Sequence, residues 1–471
     1  HASSWQPTVS EYLGIPYAEP PIGPLRFAAP KPYNGSGTIV ASKFSPDCPA
    51  NVANFSNATV LNSPKGIILA TLGQYGRTLD VDEDCLSVNV WTKPGSGEKA
   101  KAVMLWVYGG GFAIGYTASP TYDGARLAAE QDVVVVSMNY RLNILGFPGA
   151  PGLPDQNLGL LDQRLAVEWV RDNIAAFGGD PKRITLFGES AGGASVDMYS
   201  YAWTKDPIVN AFIAESGTTS LIDALGANGN KTAGWFRASE KAGCGGASNT
   251  TADASIKCMR AKPWKDVLNA IKPAGAGASL GGMGDFGPSP DGKVVFNDYK
   301  ARTAAGNFIK RPMLVGNNGN EISLFTVILG ITSGLSSPLY RYANAIFNCP
   351  SGSAAVARMQ NKVKAWRYLY SGSWPNQNLA DGAGAFHGSE IGLIFGSMEN
   401  EQKSFPNTAE QSKLVQTMMN AWAGFAKDPE NALEKLGWPL YDATKPTVIK
   451  LGDNNSSAVT FVNPSTVDTG C

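Results

Sequence analysis

Ser190 stands at the centre of the most specific chemical pattern in this chain. It occupies the middle of Gly188-x-Ser190-x-Gly192, directly after an apolar stretch at 184–187 that predicts a short strand. A serine on a sharp turn from strand to helix has strained backbone angles and projects its hydroxyl into a cleft. Small flanking residues are required there, because larger side chains would clash. The pattern indicates a nucleophilic serine; the plain alternative is a turn serine without chemistry.

A second match to the same pattern, Gly277-x-Ser279-x-Gly281, tests how specific the pattern is. Glycine and serine are frequent residues, so the spacing also arises by chance. Ser279 lies in a stretch rich in glycine and alanine, with no predicted strand before it. We therefore expect Ser190, and not Ser279, to be the nucleophile.

Histidine is scarce, since the chain contains only His1 and His387. A serine nucleophile needs a base, and His387 is the only interior side chain with an ordinary pKa near ~6.5. A lone histidine is more often a packed core residue, so the pattern around Ser190 is what favours a base. Two histidines exclude a metal site built from several. Copper at His1 would require His387 as its second ligand.

A carboxylate must orient the base and stabilise its protonated form. In hydrolases with this kind of turn, the acid lies between the serine and the histidine in the chain. Glu321 is favoured because it follows a predicted strand at 312–316 and a polar loop, where sheet enzymes place catalytic groups. The residues alone leave several acids open: Glu215, Asp223, Asp253, Asp285, Asp291, Asp298, Glu321 and Asp381.

Three consecutive glycines at 109–111 follow the apolar run at 102–108. Glycine amides can approach a substrate oxygen without a Cβ in the way, so this loop is a candidate oxyanion donor. The amide of Ala191, at the predicted helix start, is a further donor. The loop is not a dinucleotide fingerprint, because Ile114 replaces the last glycine that such a motif needs.

The order of the apolar segments predicts the fold. The runs at 102–108 and 133–136 are typical of strands buried on both faces, whereas 158–177 has helical spacing. The strand at 184–187 and the Ser190 turn follow, which predicts an α/β fold with helices on both faces of a large, mostly parallel sheet. Further predicted elements are strands at 84–91, 211–214 and 312–316, helices at 356–370 and 411–425, a long loop at 48–85, an insertion at 220–300 and an irregular tail from 452.

Composition limits the classes of partner. The 471 residues include 39 Lys and Arg against 39 Asp and Glu, and this balance argues against nucleic acid or an anionic membrane as the main partner. No apolar run is long enough for a transmembrane span. We find no internal repeat or clean linker, so we expect one domain over 1–471. The first residue is His1, so we expect a processed chain without its signal peptide.

The cysteines and the glycosylation sequons favour a secreted protein. Six cysteines permit three disulfides, and no C-x-x-C occurs, which excludes zinc-ribbon and thioredoxin-type sites. An even cysteine count together with sequons is typical of an oxidising, extracellular setting. The sequons begin at Asn34, Asn54, Asn57, Asn230, Asn249, Asn454 and Asn455.

The chain resembles the type-B carboxylesterases, the family that includes cholinesterases and fungal lipases. The resemblance covers residues 12 to about 390, and several of its motifs are highly specific. The matching segments are 12–21, 25–27, 83–86, 108–112, 139–141, 157–164, 187–193, 215–217, 320–321 and 387–390.

The resemblance implies an α/β-hydrolase fold, with loop and helical insertions that form an active-site gorge, and cleavage of carboxylic esters without a cofactor or metal. It also implies a role for particular residues of this chain. These are a triad of Ser190, Glu321 and His387, oxyanion donors at Gly110, Gly111 and Ala191, buried ion pairs Arg26–Glu83 and Arg141–Asp162, and disulfides Cys48–Cys85 and Cys244–Cys258, which leaves Cys349 with Cys471.

Substrate preference is less determined than the chemistry. Where cholinesterases carry a tryptophan in the loop before the second cysteine, this chain has Tyr75. The expected partner is a small-molecule or lipid ester. The residues expected to line the substrate pocket are Tyr75, Phe112, Glu189, Phe325 and Phe386.

The sequence leaves two alternative functions open. One is a lipase or sterol esterase with a mobile apolar lid formed from 48–85. The other is a non-catalytic adhesion module, although such relatives typically lose a member of the triad and this chain keeps all three.

Overall fold

The computed structural model describes residues 1–51, 63–72, 80–221, 231–272, 286–401 and 403–471. The strands of these residues are β1 (Ser10–Pro16), β2 (Ser87–Thr92), β3 (Lys101–Val107), β4 (Val134–Met138), β5 (Gly179–Glu189), β6 (Ala211–Glu215), β7 (Met313–Asn318), β8 (Ala365–Tyr370), β9 (Val448–Leu451) and β10 (Thr460–Val462). They form one sheet in the order β1-β2-β4-β3-β5-β6-β7-β8-β9-β10.

The centre of the sheet is parallel and its edges are antiparallel. Every neighbouring pair from β4 and β3 across to β9 is parallel, whereas β1, β2 and β10 pair antiparallel. Strands β3, β4 and β6 are buried along their whole length, which explains their continuous apolar sequences. The predicted mostly parallel sheet is therefore confirmed.

Helices surround the sheet. The α-helices of the described residues are α1 (Pro64–Leu72), α2 (Ala125–Gln131), α3 (Asn143–Gly146), α4 (Leu158–Asn173), α5 (Ala191–Ala202), α6 (Lys231–Lys241), α7 (Ala252–Ala261), α8 (Trp264–Ala270), α9 (Tyr299–Ala304), α10 (Ile322–Ile328), α11 (Pro338–Ala343), α12 (Ala345–Gln360), α13 (Ile391–Ile394), α14 (Met398–Glu401), α15 (Ala409–Lys427), α16 (Ala432–Lys435) and α17 (Pro464–Val467). The predicted helix at 158–177 is α4 followed by a 3-10 turn, Ile174–Phe177, which ends at Gly178 with φ of 82°.

Strand β8 overturns the prediction of one helix at 356–370. Helix α12 ends at Gln360, and the left-handed Lys362 (φ 59°) separates it from the strand. Trp366 of β8 packs edge-on against Phe425 of α15, whereas Arg367 donates to a backbone oxygen of α12. Successive strand residues face opposite sides of a sheet, so α12 and α15 cover opposite faces. The strand is six residues long, with Arg367 between the aromatic Trp366 and Tyr368, and so short a segment directly after a helix is not separated from it by periodicity.

Two other sequence predictions need correction. The predicted loop at 48–85 contains α1 in its described part, and residues 52–62 and 73–79 lie outside the described residues. The tail expected to be irregular forms β10, which pairs with β9, and then α17. Short elements with mixed polarity carry too little periodicity to be recognised from sequence.

The structure pairs all six cysteines. Cys48 bonds to Cys85, Cys244 to Cys258 and Cys349 to Cys471, with Cα–Cα distances of 5.1, 5.6 and 5.4 Å. These are the pairs that the resemblance implies. The Cys244–Cys258 bond joins the end of α6 to α7, within the segment expected to be an insertion.

Arg26–Glu83 and Arg141–Asp162 are buried ion pairs. The carboxylate of Glu83 lies 2.5 Å from Nη2 of Arg26. Asp162 of α4, which is fully buried, lies 2.7 Å from Nη2 of Arg141 and also accepts the Arg141 backbone N–H at 3.0 Å. A buried carboxylate of this kind depends on its partner, because removal of the cation leaves an uncompensated charge.

We expect Arg141→Leu to lower the free energy of unfolding by roughly 3–5 kcal/mol, because Asp162 stays buried without its partner. As control, Lys413→Ala removes an exposed ion pair with Glu410, which solvent screens, and should cost much less. Urea unfolding with the disulfides intact measures both. Equal losses would contradict a structural role for the buried pair.

Candidate active site

Ser190 lies on the turn between β5 and α5, and its backbone is strained as expected. Its φ and ψ are 58° and −120°, a conformation that non-glycine residues rarely adopt. The turn is fixed from both sides, because the Ser190 N–H donates to Glu215 O at 2.8 Å and Ser190 O accepts from Ala194 N–H at 2.8 Å. A Cβ on Gly192 would lie 2.0 Å from Val107 O, which explains the glycine.

The loop after β3 places free amides beside this turn. Gly110 has φ of 106°, and a Cβ there would lie 2.3 Å from Ile114 O. A Cβ on Gly109 would lie 2.8 Å from the Ser190 Cβ, so the glycine loop touches the serine directly. Within the described residues, the N–H groups of Gly110, Gly111 and Ala191 donate no hydrogen bond. Such amides are available to an oxyanion that develops near Ser190.

Glu321 follows β7 and immediately precedes α10, where it is completely buried. Its Oε1 accepts hydrogen bonds from the Ser216 hydroxyl at 2.7 Å and from the Asn318 N–H at 2.6 Å. Its Oε2 lies 2.6 Å from Nδ1 of His387. Both carboxylate oxygens are thus engaged, and the contact to Nδ1 favours the neutral tautomer of His387 that carries its proton there and leaves Nε2 unprotonated.

Three of the other acids that the sequence left open have partners elsewhere. Glu215 accepts from Trp422 Nε1 at 2.7 Å, Asp291 accepts backbone N–H groups of its own turn, and Asp298 lies 2.7 Å from Arg302. Asp223 and Asp285 lie outside the described residues. Among the described members of that set, Glu321 is the one hydrogen-bonded to His387.

The imidazole of His387 is held between aromatic rings and a second carboxylate. The ring centroids of Phe347 and Phe325 lie 4.8 and 5.1 Å from that of His387. Nε2 lies 3.0 Å from Oε1 of Glu189, and no hydrogen bond among the described residues joins it to the Ser190 hydroxyl. Catalytic hydrogen bonds are often long before substrate binds, so this arrangement is compatible with proton transfer after a small rotation.

Buried glutamates control the electrostatics around His387. Burial opposes the protonated imidazole, but the carboxylates of Glu189 and Glu321 outweigh it and raise the pKa of His387 above its usual range. Burial also raises the pKa of Glu189. The pKa of Glu390 is raised by burial and then by the charges of Glu189 and Glu321. The site therefore contains more carboxyl groups than a triad needs.

Sequence reasoning did not single out Phe347, Glu390 or the partner role of Ser216. Glu390 lies three residues after His387 and Ser216 directly follows β6, so both stood inside recognised segments. Phe347 gave no signal, because only the fold brings α12 against the imidazole.

Of the expected pocket residues, two contact His387, two pack against other apolar residues, and one lies outside the described residues. Phe325 and Glu189 contact His387, as described above. Phe112 is buried with its ring 5.3 Å from that of Phe147, and the ring of Phe386 belongs to an apolar cluster with Leu324. Tyr75 lies outside the described residues.

The sequons also differ in their surroundings. Asn34, Asn249 and Asn454 are exposed, whereas the Asn455 amide donates to and accepts from the Ser373 backbone, each at 2.7 Å. Asn54, Asn57, Asn230 and the alternative serine Ser279 lie outside the described residues.

The described residues contain no group of three or more His, Cys, Asp or Glu side chains placed to hold a metal ion. No described helix combines the length and apolar character needed to cross a membrane.

Known proteins are similar in sequence to most of this chain. Residues 1–337 and 339–469 match the Carboxylesterase family. Secreted lipase 5 of Gibberella zeae is 34% identical over 98% of this chain and 90% of its own length. Chlorogenic acid esterase of Aspergillus niger is 35% identical over 90% of this chain and 79% of its own, and Mus musculus cholinesterase is 30% identical over 95% and 80%. The chain therefore belongs to the carboxylesterase family, has the α/β-hydrolase fold and is a carboxylic ester hydrolase.

Proposed function

We propose that this protein is a secreted serine esterase that works through an acyl-enzyme. Ser190 is the nucleophile, His387 the general base and acid, and Glu321 the residue that orients His387. The observation that carries the proposal is the buried 2.6 Å contact between Glu321 Oε2 and His387 Nδ1, beside a strained serine on the adjacent turn.

The first half of the reaction forms the acyl-enzyme. Ser190 Oγ attacks the ester carbonyl carbon while His387 Nε2 takes the hydroxyl proton. The carbonyl oxygen becomes an oxyanion, which the free N–H groups of Gly110, Gly111 and Ala191 stabilise. The intermediate then collapses, the carbon–oxygen bond to the alcohol breaks, and His387 gives its proton to the leaving alkoxide.

The second half repeats these steps with water. His387 Nε2 takes a proton from water, whose oxygen attacks the acyl carbon. The bond to Ser190 Oγ breaks, the acid leaves, and His387 returns the proton to Ser190. No cofactor enters either half, because the protein supplies every proton acceptor and donor.

Extracellular location is part of the proposal. The described residues contain no free cysteine, and three disulfides suit an oxidising compartment. One of the relatives above is described as a secreted lipase. Glycosylation of the exposed Asn34, Asn249 and Asn454 would fit the same location.

A lipase that acts on long-chain esters is the second candidate, and one surface favours it. Leu329, Ile331, Tyr342 and Ile346 are 41–61% exposed and lie close in the chain to Phe325 and Phe347, which touch His387. The sequence from Glu321 to Asp381 contains no other acidic residue. Exposed apolar side chains this close in sequence to the residues that touch His387 suit an apolar ester better than a charged one.

We expect Ser190→Ala, His387→Ala and Glu321→Gln each to lower kcat by roughly four to six orders of magnitude, because the three side chains act as one unit. For the same reason, the double variant Ser190→Ala/His387→Ala should be little worse than either single variant. Ser279→Ala, in the second copy of the serine pattern, is the matched control and should keep full activity. Activity that survives in Ser190→Ala and disappears in Ser279→Ala would refute the assignment.

The charge of Glu189 should set the pH dependence. His387 must be unprotonated at Nε2 to act as base, so kcat/KM rises as the pH passes upward through its pKa. Glu189 raises that pKa, and glutamine carries no charge. In Glu189→Gln the rise should therefore move to lower pH, by roughly one unit. An unmoved or upward-shifted profile would show that Glu189 does not act on His387; the distant Glu410→Gln serves as control.

Hydrolysis rates on p-nitrophenyl esters, from acetyl to stearoyl, separate the two candidate functions. A carboxylesterase should be fastest on short, dissolved esters, because its site needs no lipid surface. Faster turnover of emulsified long-chain esters would favour the lipase instead.

A further inference from the structure

The last two residues of β7 point to opposite faces of the sheet, and one of them joins the acid to the base. The Asn318 N–H donates to Glu321 Oε1 at 2.6 Å. Its side-chain Nδ2 donates to Phe386 O, in the peptide unit that leads into His387, at 2.8 Å, and also to Glu390. Movement of Asn318 would therefore displace both Glu321 and His387.

The Asn317 side chain lies on the opposite face of the sheet from that of Asn318 and contacts the Asn318 backbone. Its Nδ2 donates to Asn318 O at 3.1 Å and to Asn348 Oδ1 on α12 at 2.5 Å. Both amide side chains are buried. A buried donor without an acceptor is costly, so this pair fixes the strand end against the helix.

Asn348 lies in the first turn of α12 and makes contacts in two directions. Its Nδ2 donates to Val467 O at 3.1 Å, so its amide links β7 to the C-terminal segment. The residue before it, Phe347, packs on the imidazole of His387, and the residue after it, Cys349, is bonded to Cys471.

Two arginines hold α12 near its two ends. Arg367 donates to Asn348 O at 3.0 Å and holds Asp468 through two hydrogen bonds of 2.8 and 2.5 Å. Arg358, near the other end of α12, lies 2.7 Å from Asp197 of α5, the helix that begins after Ser190. The helix is thus fixed relative to the strand that leads to Glu321 and to the helix that carries the nucleophile turn.

We propose that Asn317 and Asn348 form a positioning pair for the ester-hydrolysis site, through which the C-terminal segment closed by Cys349–Cys471 sets the geometry of Glu321 and His387. The inference rests on the proposed function. An amide at position 348 meets both requirements, since one end accepts from Asn317 and the other donates to Val467. Neither residue touches the reacting atoms, so each acts through Asn318.

The test uses Asn317→Leu and Asn348→Ala, which remove the amide contact without adding charge. We expect kcat on p-nitrophenyl acetate to fall roughly tenfold to a hundredfold, because small misplacements of catalytic groups have large effects. KM should stay unchanged. The acid side of the kcat/KM–pH profile should move to lower pH, since Glu321 is one of three carboxylates, with Glu189 and Glu390, that raise the pKa of His387.

Asn157→Leu is the matched control. Asn157 is a fully buried amide that donates to Ser289 O and Asp291, each at 2.8 Å, and these are not hydrogen-bond partners of Asn317 or Asn348. It should lose stability in the same way as the test variants and keep the wild-type kcat and pH profile. A merely structural role for Asn317 and Asn348 would give all three variants the same behaviour.

The double variant Cys349→Ala/Cys471→Ala tests the same link without touching the amides. It should lower kcat and move the acid side of the pH profile to lower pH, both by less than the amide variants do. If Asn317→Leu does not fold, this double variant tests the proposal in its place. Folded variants with wild-type kcat and pH profile would overturn the proposal. If the wild-type protein hydrolyses no ester and takes up no fluorophosphonate, the proposed function fails instead.

Discussion

The buried contact between Glu321 and His387 is the interaction on which the rest of this structure depends. A carboxylate removed from water is tolerated only when its oxygens are paired. Glu321 meets this requirement through Ser216, the Asn318 N–H and His387, which come from three separate parts of the chain. The parallel sheet is what allows them to meet, because the carboxyl ends of its strands lie along one edge.

The nucleophile turn depends on the same sheet in a different way. Ser190 keeps strained backbone angles because β5 ends there, α5 begins there and the carbonyl of Glu215 holds its N–H. The neighbouring glycines are needed because backbone oxygens approach them closely, as Val107 O does at Gly192. Strain and close backbone approach are thus concentrated where the chemistry is proposed, while the neighbouring strands β3 and β6 are buried along their whole length.

Local sequence patterns predict some residues of the site, and only the fold reveals the others. Ser190 and His387 could be predicted from local spacing and from the scarcity of histidine, and the parallel strands from their apolar runs. Glu321 remained one of several acids until the family resemblance was considered, because its partners are distant in sequence. Phe347 and the Asn317–Asn348 pair could not be predicted at all, since only the packing of α12 creates them. The wrong prediction of a helix over β8 has a similar cause, because its aromatic residues lie on one face of the sheet and Arg367 lies on the other.

The central claim is that Ser190 is the reactive nucleophile of this assembly. Reaction of the folded protein with a fluorophosphonate, followed by peptide mass mapping, tests it most directly. An activated serine forms a stable covalent adduct, whereas unactivated hydroxyls do not react. We expect one adduct per chain, on the peptide that contains Ser190, and none in Ser190→Ala. An adduct on another residue, or none on the wild-type protein, would contradict it.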